Sequence, residues 1–305
     1  MTNFRSGFVS VIGRSNVGKS TLLNALLGQK VAAVSPRPQT TRRRQLGILT
    51  LPNAQVVFID TPGLHQPLHR LGHYLNQEAK DAIQGIDVIL FTVDASVLPS
   101  EEDRLVAGLI DGLPGERPIL MALNKTDLVE PDEINRVLST YTDLVHREVK
   151  AVPISALKKS QLDVLEETLV SLLPVRPPEF PQDQLTDLYE REIAADLIRA
   201  ACLNLLRDEV PHSLAVRIDE FKERPQGAAY IAATIFVERD SHKGIVIGQG
   251  GKMLKEIGTS ARVEIEEMSG RKVFLELKVK VLKQWRNDDS ALKRLGYKIE
   301  NGSPH

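Results

Sequence analysis

Gly13, Gly18, Lys19 and Ser20 stand at the spacing G-x-x-x-x-G-K-S. An apolar run precedes them and a helical pattern, STLLNALLG, follows. A strand, a glycine loop and a helix start in that order make an anion cradle. The first N–H groups of a helix have no helical partner, and the peptide dipoles add positive potential at that end. Glycine lets the main chain close around oxygen atoms. Lys19 adds a cation that reaches β- and γ-phosphates, and Ser20 adds a hydroxyl for Mg²⁺. The contacts expected of this loop are Gly13, Asn16, Val17, Gly18, Lys19, Ser20 and Thr21.

The loop alone names a nucleotide, not a base. Asn124-Lys125-Thr126-Asp127 ends the run RPILMALN and supplies the discrimination. A carboxylate at Asp127 can accept hydrogen bonds from the N1–H and the 2-amino group of guanine. Adenine offers neither donor, and an acceptor left buried and unpaired costs about 1–3 kcal/mol, more when charged. Asp60-Thr61-Pro62-Gly63 ends the run AQVVFID. Asp60 is expected to hold Mg²⁺ through water, and the Gly63 N–H to sense the γ-phosphate. Ser155-Ala156-Leu157 follows VKAVPI, where a backbone N–H can meet the guanine carbonyl. Between the first loop and Asp60, SPRPQTTRRR offers Thr40 or Thr41 as a second hydroxyl for Mg²⁺, and Thr41 is preferred. Lys19, Thr41 and Gly63 are the catalytic candidates. Ser20, Thr41 and Asp60 form the metal set, and Asn124, Lys125, Asp127, Ser155 and Ala156 the base set.

These residues must be brought together by alternating elements. GFVSVIG, AQVVFID, DVILFTVDA, RPILMALN and VKAVPIS read as strands, with helical patterns between them. Continuous apolar strands separated by helices predict a mostly parallel sheet covered on both faces, with its ligand site at the carboxyl ends of the strands. Each motif above falls at such an end. A stretch containing Pro174, Pro177, Pro178 and Pro181 then reads as an extended connector. The expected boundaries are 1–173 for the first domain, 174–184 for the linker, 185–285 for the second domain and 286–305 for a tail.

The second domain reads as a helix from about Leu185 to Arg207, strands in SLAVRIDEFKE and AAYIAATIFVERD, a helix opening at GQGG, another in TSARVEIEEMSG, and a last strand in KVFLELKVKVLKQW. Its glycine cluster is Gly248, Gln249, Gly250 and Gly251. It lacks the G-K-S/T ending, and a dinucleotide fingerprint would need glycine where Met253 stands. As G-x-x-G, Gly248 to Gly251, between two helical segments it fits a clamp on about four nucleotides of single-stranded RNA. Lys252 and Lys255 extend the positive end of that clamp. Lys222, Arg224, Lys243, Arg262, Arg271 and Lys272 offer a further basic path. Aromatic residues make up only 5% of the chain, so stacking platforms of the RRM kind are not expected.

The bulk numbers agree with this division. A chain of 305 residues suggests two cores. Net charge is −1, so any nucleic-acid surface must be local. No apolar run approaches the roughly 20 residues of a membrane span. The opening MTNFRSGFVSVIG lacks a signal-peptide layout, so the cytoplasm is the expected compartment. The single cysteine, Cys202, lies in a helical pattern and is expected to be a small buried residue.

Five motifs in this order resemble the GTPase family of P-loop proteins, and PQTTRRR, DTPGLH and Asn16 resemble its Era branch. The α-β-β-α-α-β order and IVIGQGGKMLKEIG resemble a type II KH domain. The resemblance implies an α/β P-loop GTPase domain followed by an α+β KH domain, with GTP or GDP and Mg²⁺ as cofactors. It further implies 16S rRNA and the 30S ribosomal subunit as partners, action as a monomer, and contact with the inner membrane face as an additional association. One position departs from Ras-like members, which orient the attacking water with a glutamine directly after D-x-x-G. Here that residue is Leu64, which cannot hydrogen-bond water. His65 is one candidate replacement. Asn16 is another, because related GTPases use an asparagine there to hold K⁺ near the phosphates. The expected outcome is faster GTP hydrolysis in KCl than in NaCl at matched ionic strength. Equal phosphate-release rates in the two salts would remove Asn16 and K⁺ from the account.

Overall fold

The computed structural model describes residues 4–35, 41–42, 45–63, 67, 69–83, 85–186, 190–224 and 227–297. Thr40, Leu64 and His65 lie outside them. The chain forms two compact units. The first takes the described residues of 4–32, 41–63 and 75–186. The second takes those of 33–35, 67–74 and 190–297.

The first unit is built on β1 (Arg5–Ile12), β2 (Gln45–Thr50), β3 (Ala54–Asp60), β4 (Val88–Asp94), β5 (Ile119–Asn124) and β6 (Val149–Pro153). Its helices are α1 (Lys19–Leu27), α2 (Arg70–Asp81), α3 (Glu101–Asp111), α4 (Ile134–Thr142) and α5 (Leu162–Leu172), although residues 70–74 of α2 count with the second unit. The sheet order is β2-β3-β1-β4-β5-β6, parallel except for β2. Alternate residues face two cores. Val9, Val11, Val56 and Phe58 pack with α1 and α5, while Val57, Ile59, Ile89 and Phe91 pack with α2, α3 and α4. Burial on both faces explains the unbroken apolar runs. Strand order reverses direction at β1, which opens a crevice at its carboxyl end.

Strand β2 was not among the expected elements. It follows the basic run of residues 42–44, and its glycine and two polar ends weaken the strand pattern. Pairing with β3 secures it. The proline-rich stretch is bonded to the strands of the first unit. Val175 bridges to Arg5, the Gln55 amide binds the backbone of Glu179 and Phe180 at 2.8–3.0 Å, and Leu185 accepts from the Ile48 N–H at 2.8 Å.

The second unit contains α6 (Glu190–Leu205), β7 (Ala215–Glu223), β8 (Ala229–Val237), α7 (Asp240–Ile247), α8 (Lys252–Ser269), β9 (Val273–Val281) and α9 (Asp289–Arg294). Its sheet runs β7-β8-β9, antiparallel then parallel, which among the described residues leaves one side of β9 unpaired. Helices α6, α7 and α8 cover one face through Ile193, Leu197, Val246, Ile257, Ala261 and Ile265. Cys202 is buried in that core, and burial pushes its thiol up to about 12.

The predicted α-β-β-α-α-β order holds, but its middle helices are placed differently. The first helix of the pair is α7, ahead of the glycine cluster, where Ile245, Val246 and Ile247 mimic a strand. The segments assigned to two helices form the single helix α8, which runs through Gly258 without a break. The tail is anchored by Trp285, which is fully buried and donates from Nε1 to the Ser213 carbonyl at 2.9 Å.

Candidate functional site

The glycine loop joins the end of β1 to α1 at the strand-order reversal. Gly18 caps α1 with φ 98°. A Cβ there would meet Asn124 Nδ2 at 2.3 Å, so only glycine permits this approach. Val17 is buried, Thr21 is half-buried in the first helical turn, and Asn16 stands exposed at the crest with φ 66°. Lys19 folds over the loop, donating to the carbonyls of Gly13 (3.0 Å) and Arg14 (2.9 Å). Burial lowers its ammonium to about 8, with the Asp60 carboxylate pulling the other way.

Asp60 ends β3 fully buried, and burial raises its carboxyl pKa against the opposing effects of Lys19, Ser20, Thr41 and Gln45. Ser20 Oγ and Thr41 Oγ1 lie 3.0 Å apart and donate to Asp60 Oδ2 at 3.1 and 3.2 Å. Asp60 Oδ1 is buried with no hydrogen-bond partner among the described residues. A buried carboxylate oxygen without a partner is costly. Two hydroxyls and one carboxylate are the hard-oxygen donor set that Mg²⁺ takes alongside waters and phosphate oxygens. The predicted metal set is therefore assembled in one place and fits the ion. When bound, Mg²⁺ would offset charge on the β- and γ-phosphate oxygens. Gly63 packs against Ser15 of the loop, at the end expected to receive the γ-phosphate.

The base set gathers at the ends of β5 and β6. Asp127 is exposed, and its Oδ1 accepts from Ser155 Oγ at 2.5 Å, which orients the carboxylate. Lys125 adopts φ 67° and its Nζ lies 2.5 Å from Asp94 Oδ2. Asn124 is the centre of this end. Its Nδ2 donates to the Val17 carbonyl at 2.8 Å, and its Oδ1 accepts from the Ala156 N–H at 3.0 Å. One amide thus ties the phosphate loop to the last recognition loop. Of the backbone N–H groups in this loop, that of Ala156 is engaged by Asn124 in this structure.

Three residues of this site were missed in the sequence. Arg14, inside the phosphate loop, reaches Asp103 (3.0 Å) and Asp94 (3.7 Å). Asp94 ends β4, and Asp103 is the buried partner of Ser100 in a capping box on α3. Against the upward push of burial, bonds from Lys125 and Ser96 hold the Asp94 carboxyl below its usual range. The available signals were the terminal aspartate of DVILFTVDA and the S-x-x-D spacing of Ser100 and Asp103.

In the second unit, residues 248–251 link α7 to α8. Gly250 (φ 60°) and Gly251 (φ 78°) hold left-handed conformations, and a Cβ on either would meet nothing within 4 Å. The outer side of the loop is open, above the N-terminus of an 18-residue helix. Gln249, Lys252 and Lys255 are exposed beside it, and Gly248 packs on Met253. The proposed basic path divides. Arg224, Lys255, Arg262 and Lys272 line one groove. Arg271 is tied to Glu190 and Glu223, and Lys222 to Glu220.

Replacing Asn124 by Ala would leave the Val17 carbonyl and the Ala156 N–H without this partner. The expected result is a loss of about 1–3 kcal/mol in stability together with weaker guanine-nucleotide binding. Urea unfolding and fluorescent-nucleotide titration measure the two. An unchanged affinity would show that the amide bridge does not organise the site.

Residues 8–125 match the family model described as 50S ribosome-binding GTPase, and residues 209–286 match the KH domain. GTPase Era of Geobacter metallireducens is 50% identical over 296 residues, which covers 96% of this chain and 98% of that protein. GTPase Era of Ruminiclostridium cellulolyticum is 46% identical, with 97% and 98% covered. A solved structure of Era in complex with MgGDPNP and nucleotides 1506–1542 of 16S ribosomal RNA aligns with a TM-score of 0.89 at 40% identity, covering 97% of this chain and 100% of that one. A variant of Aquifex aeolicus Era bound to GDP·AlF4⁻ aligns with a TM-score of 0.91 at 40% identity and the same coverage. Sequence identity of this extent, over nearly the whole of both chains, places the chain in the Era family of GTPases.

Proposed function

We propose that this protein binds GTP and GDP with Mg²⁺ at the first site and hydrolyses GTP there. Its KH domain holds the single-stranded 3′ region of 16S rRNA, and the protein acts in assembly of the 30S ribosomal subunit. The observation that carries the nucleotide half is the convergence of Ser20 and Thr41 hydroxyls on Asp60 Oδ2, with Asp127 oriented by Ser155. The RNA half rests on the open, left-handed glycines of the 248–251 loop and on the relative solved with 16S nucleotides. A monomer is the working form we infer. Among the described residues no helix is long and apolar enough to cross a membrane. The cytoplasm, with peripheral contact at the membrane face, is the compartment we infer.

In this reading Lys19 supplies charge at the β- and γ-phosphates and Gly63 presents its N–H to the γ-phosphate. Thr41 orders its segment only while the γ-phosphate is present. K⁺ at Asn16 is an additional cofactor.

The two halves act as a coupled switch. Residues 33–35 and 69–74 belong to the second unit, although in the chain they run close to Thr41 and Gly63. Ala33 contributes to the second core, Ser35 donates to Asn204 Oδ1 at 2.8 Å, and Arg70 pairs with Asp289 at 2.6 Å. A ligand that holds Thr41 and Gly63 therefore pulls on chain segments packed in the RNA-binding unit. The expected outcome is a different affinity for the 16S 3′ fragment with Mg²⁺ and GDPNP than with Mg²⁺ and GDP, measured by fluorescence anisotropy. Identical affinities would leave two independent sites on one chain.

A further inference from the structure

A cavity of about 870 Å³ lies beside the unpaired edge of β9. One wall is α8, from Gly251 of the glycine loop to Arg262 and Glu266. The other rim carries a cluster that none of the motifs contains. Tyr230 and Phe274 are register partners on β8 and β9, on the face away from the helices. The Arg224 guanidinium carbon lies 4.9 Å from the centroids of both rings. Tyr230 Oη donates to Glu276 Oε2 at 2.5 Å, which fixes the first ring. Phe274 remains 55% exposed even with Arg224 against it, and it is the one exposed aromatic among the described residues.

An apolar ring left this open beside a cavity is a surface prepared for a flat partner. The surrounding charge selects the partner. Arg224, Lys255, Arg262 and Lys272 line the same cavity, against Glu266 and Glu276. Both carboxylates are engaged, Glu276 by Tyr230 and Glu266 by the Val273 N–H and Lys272. Cations around an exposed ring suit a polyanion that carries π-faces, since bases stack on aromatic and guanidinium planes while phosphates meet the cations. Arg224, Tyr230 and Phe274 are separated in sequence and are brought together by sheet pairing.

We propose that Phe274, held by Arg224 and Tyr230, is a stacking platform for one nucleobase of the single-stranded RNA that crosses the 248–251 loop, a role that rests on the RNA-binding reading above. The loop clamps the sugar-phosphate chain at one end of the cavity, and the platform holds a base at its rim. The platform contributes affinity with little dependence on base identity, because every base has a π-face.

The test uses the full chain with Mg²⁺ and GDPNP. The probe is RNA corresponding to nucleotides 1506–1542 of 16S rRNA, carrying 2-aminopurine at successive positions. The expected result is one position whose fluorescence is quenched on binding. Phe274→Leu should abolish that quenching and weaken affinity about ten-fold, the scale of one lost base–aromatic stack. Phe274→Tyr should keep both, and the exposed position predicts unchanged thermal unfolding for each variant. Wild-type quenching and affinity in Phe274→Leu would overturn the platform. If that variant instead lost 30S particles while binding the RNA normally, the patch would be a protein-docking surface and the platform would again be overturned. Gly250→Asp separates the underlying reading. Its failure to bind the probe supports the loop clamp whatever Phe274 does, whereas wild-type affinity in Gly250→Asp, or no binding by the unaltered protein, overturns the RNA-binding reading and the platform with it.

Discussion

The Asn124 side chain is the constraint on which the nucleotide site depends. It closes the distance between two loops that the sheet delivers to the same edge but does not itself join. Its bonds to the Val17 carbonyl and the Ala156 N–H fix the spacing between the phosphate end and the base end. The absent side chain at Gly18 is the condition for that approach. A site whose phosphate end and base end are set before binding loses less free energy to ordering when the nucleotide binds. Lys125, Asp94, Arg14 and Asp103 reinforce the same spacing through charge, running from the base end through the phosphate loop to the cap of α3.

Thr41 and Gly63 are held differently. Their hydrogen bonds and contacts lie at the phosphate end, but the chain on their outer sides joins the second unit. In the proposed switch, the part tied by Asn124 recognises and the part around Thr41 and Gly63, continuous in sequence with the second unit, responds. The same economy of parts is visible in the second unit. One helix, α8, carries the glycine loop at its start and the cavity wall along its length.

Much of this was legible in the sequence, for a physical reason. Phosphate and guanine recognition demand specific atoms at fixed strand ends, so Lys19, Ser20, Asp60 and Asp127 could be named from spacing alone. What escaped were features decided by tertiary pairing. Strand β2 has a weak pattern of its own and is secured by β3. Helix α7 contains Ile245, Val246 and Ile247, whose β-branched character points to a strand until packing overrides it. Gly258 suggested a break in α8 that the core residues Ile257, Ala261 and Ile265 prevent. Arg14 could not be assigned a partner, because its two aspartates lie on β4 and α3. Bulk aromatic content concealed the Arg224–Tyr230–Phe274 cluster. Residues that act through backbone geometry or cross-strand register leave little trace in a linear pattern.

The central claim is that the carboxylate of Asp127, oriented by Ser155, reads the hydrogen-bond donors of guanine. Competition between GTP and xanthosine triphosphate for wild type and Asp127→Asn tests it most directly. Xanthine replaces the 2-amino donor with a carbonyl, which an asparagine amide can meet and a carboxylate cannot. The account predicts that wild type prefers GTP and that Asp127→Asn reverses the preference. Unchanged selectivity for GTP in Asp127→Asn would contradict it.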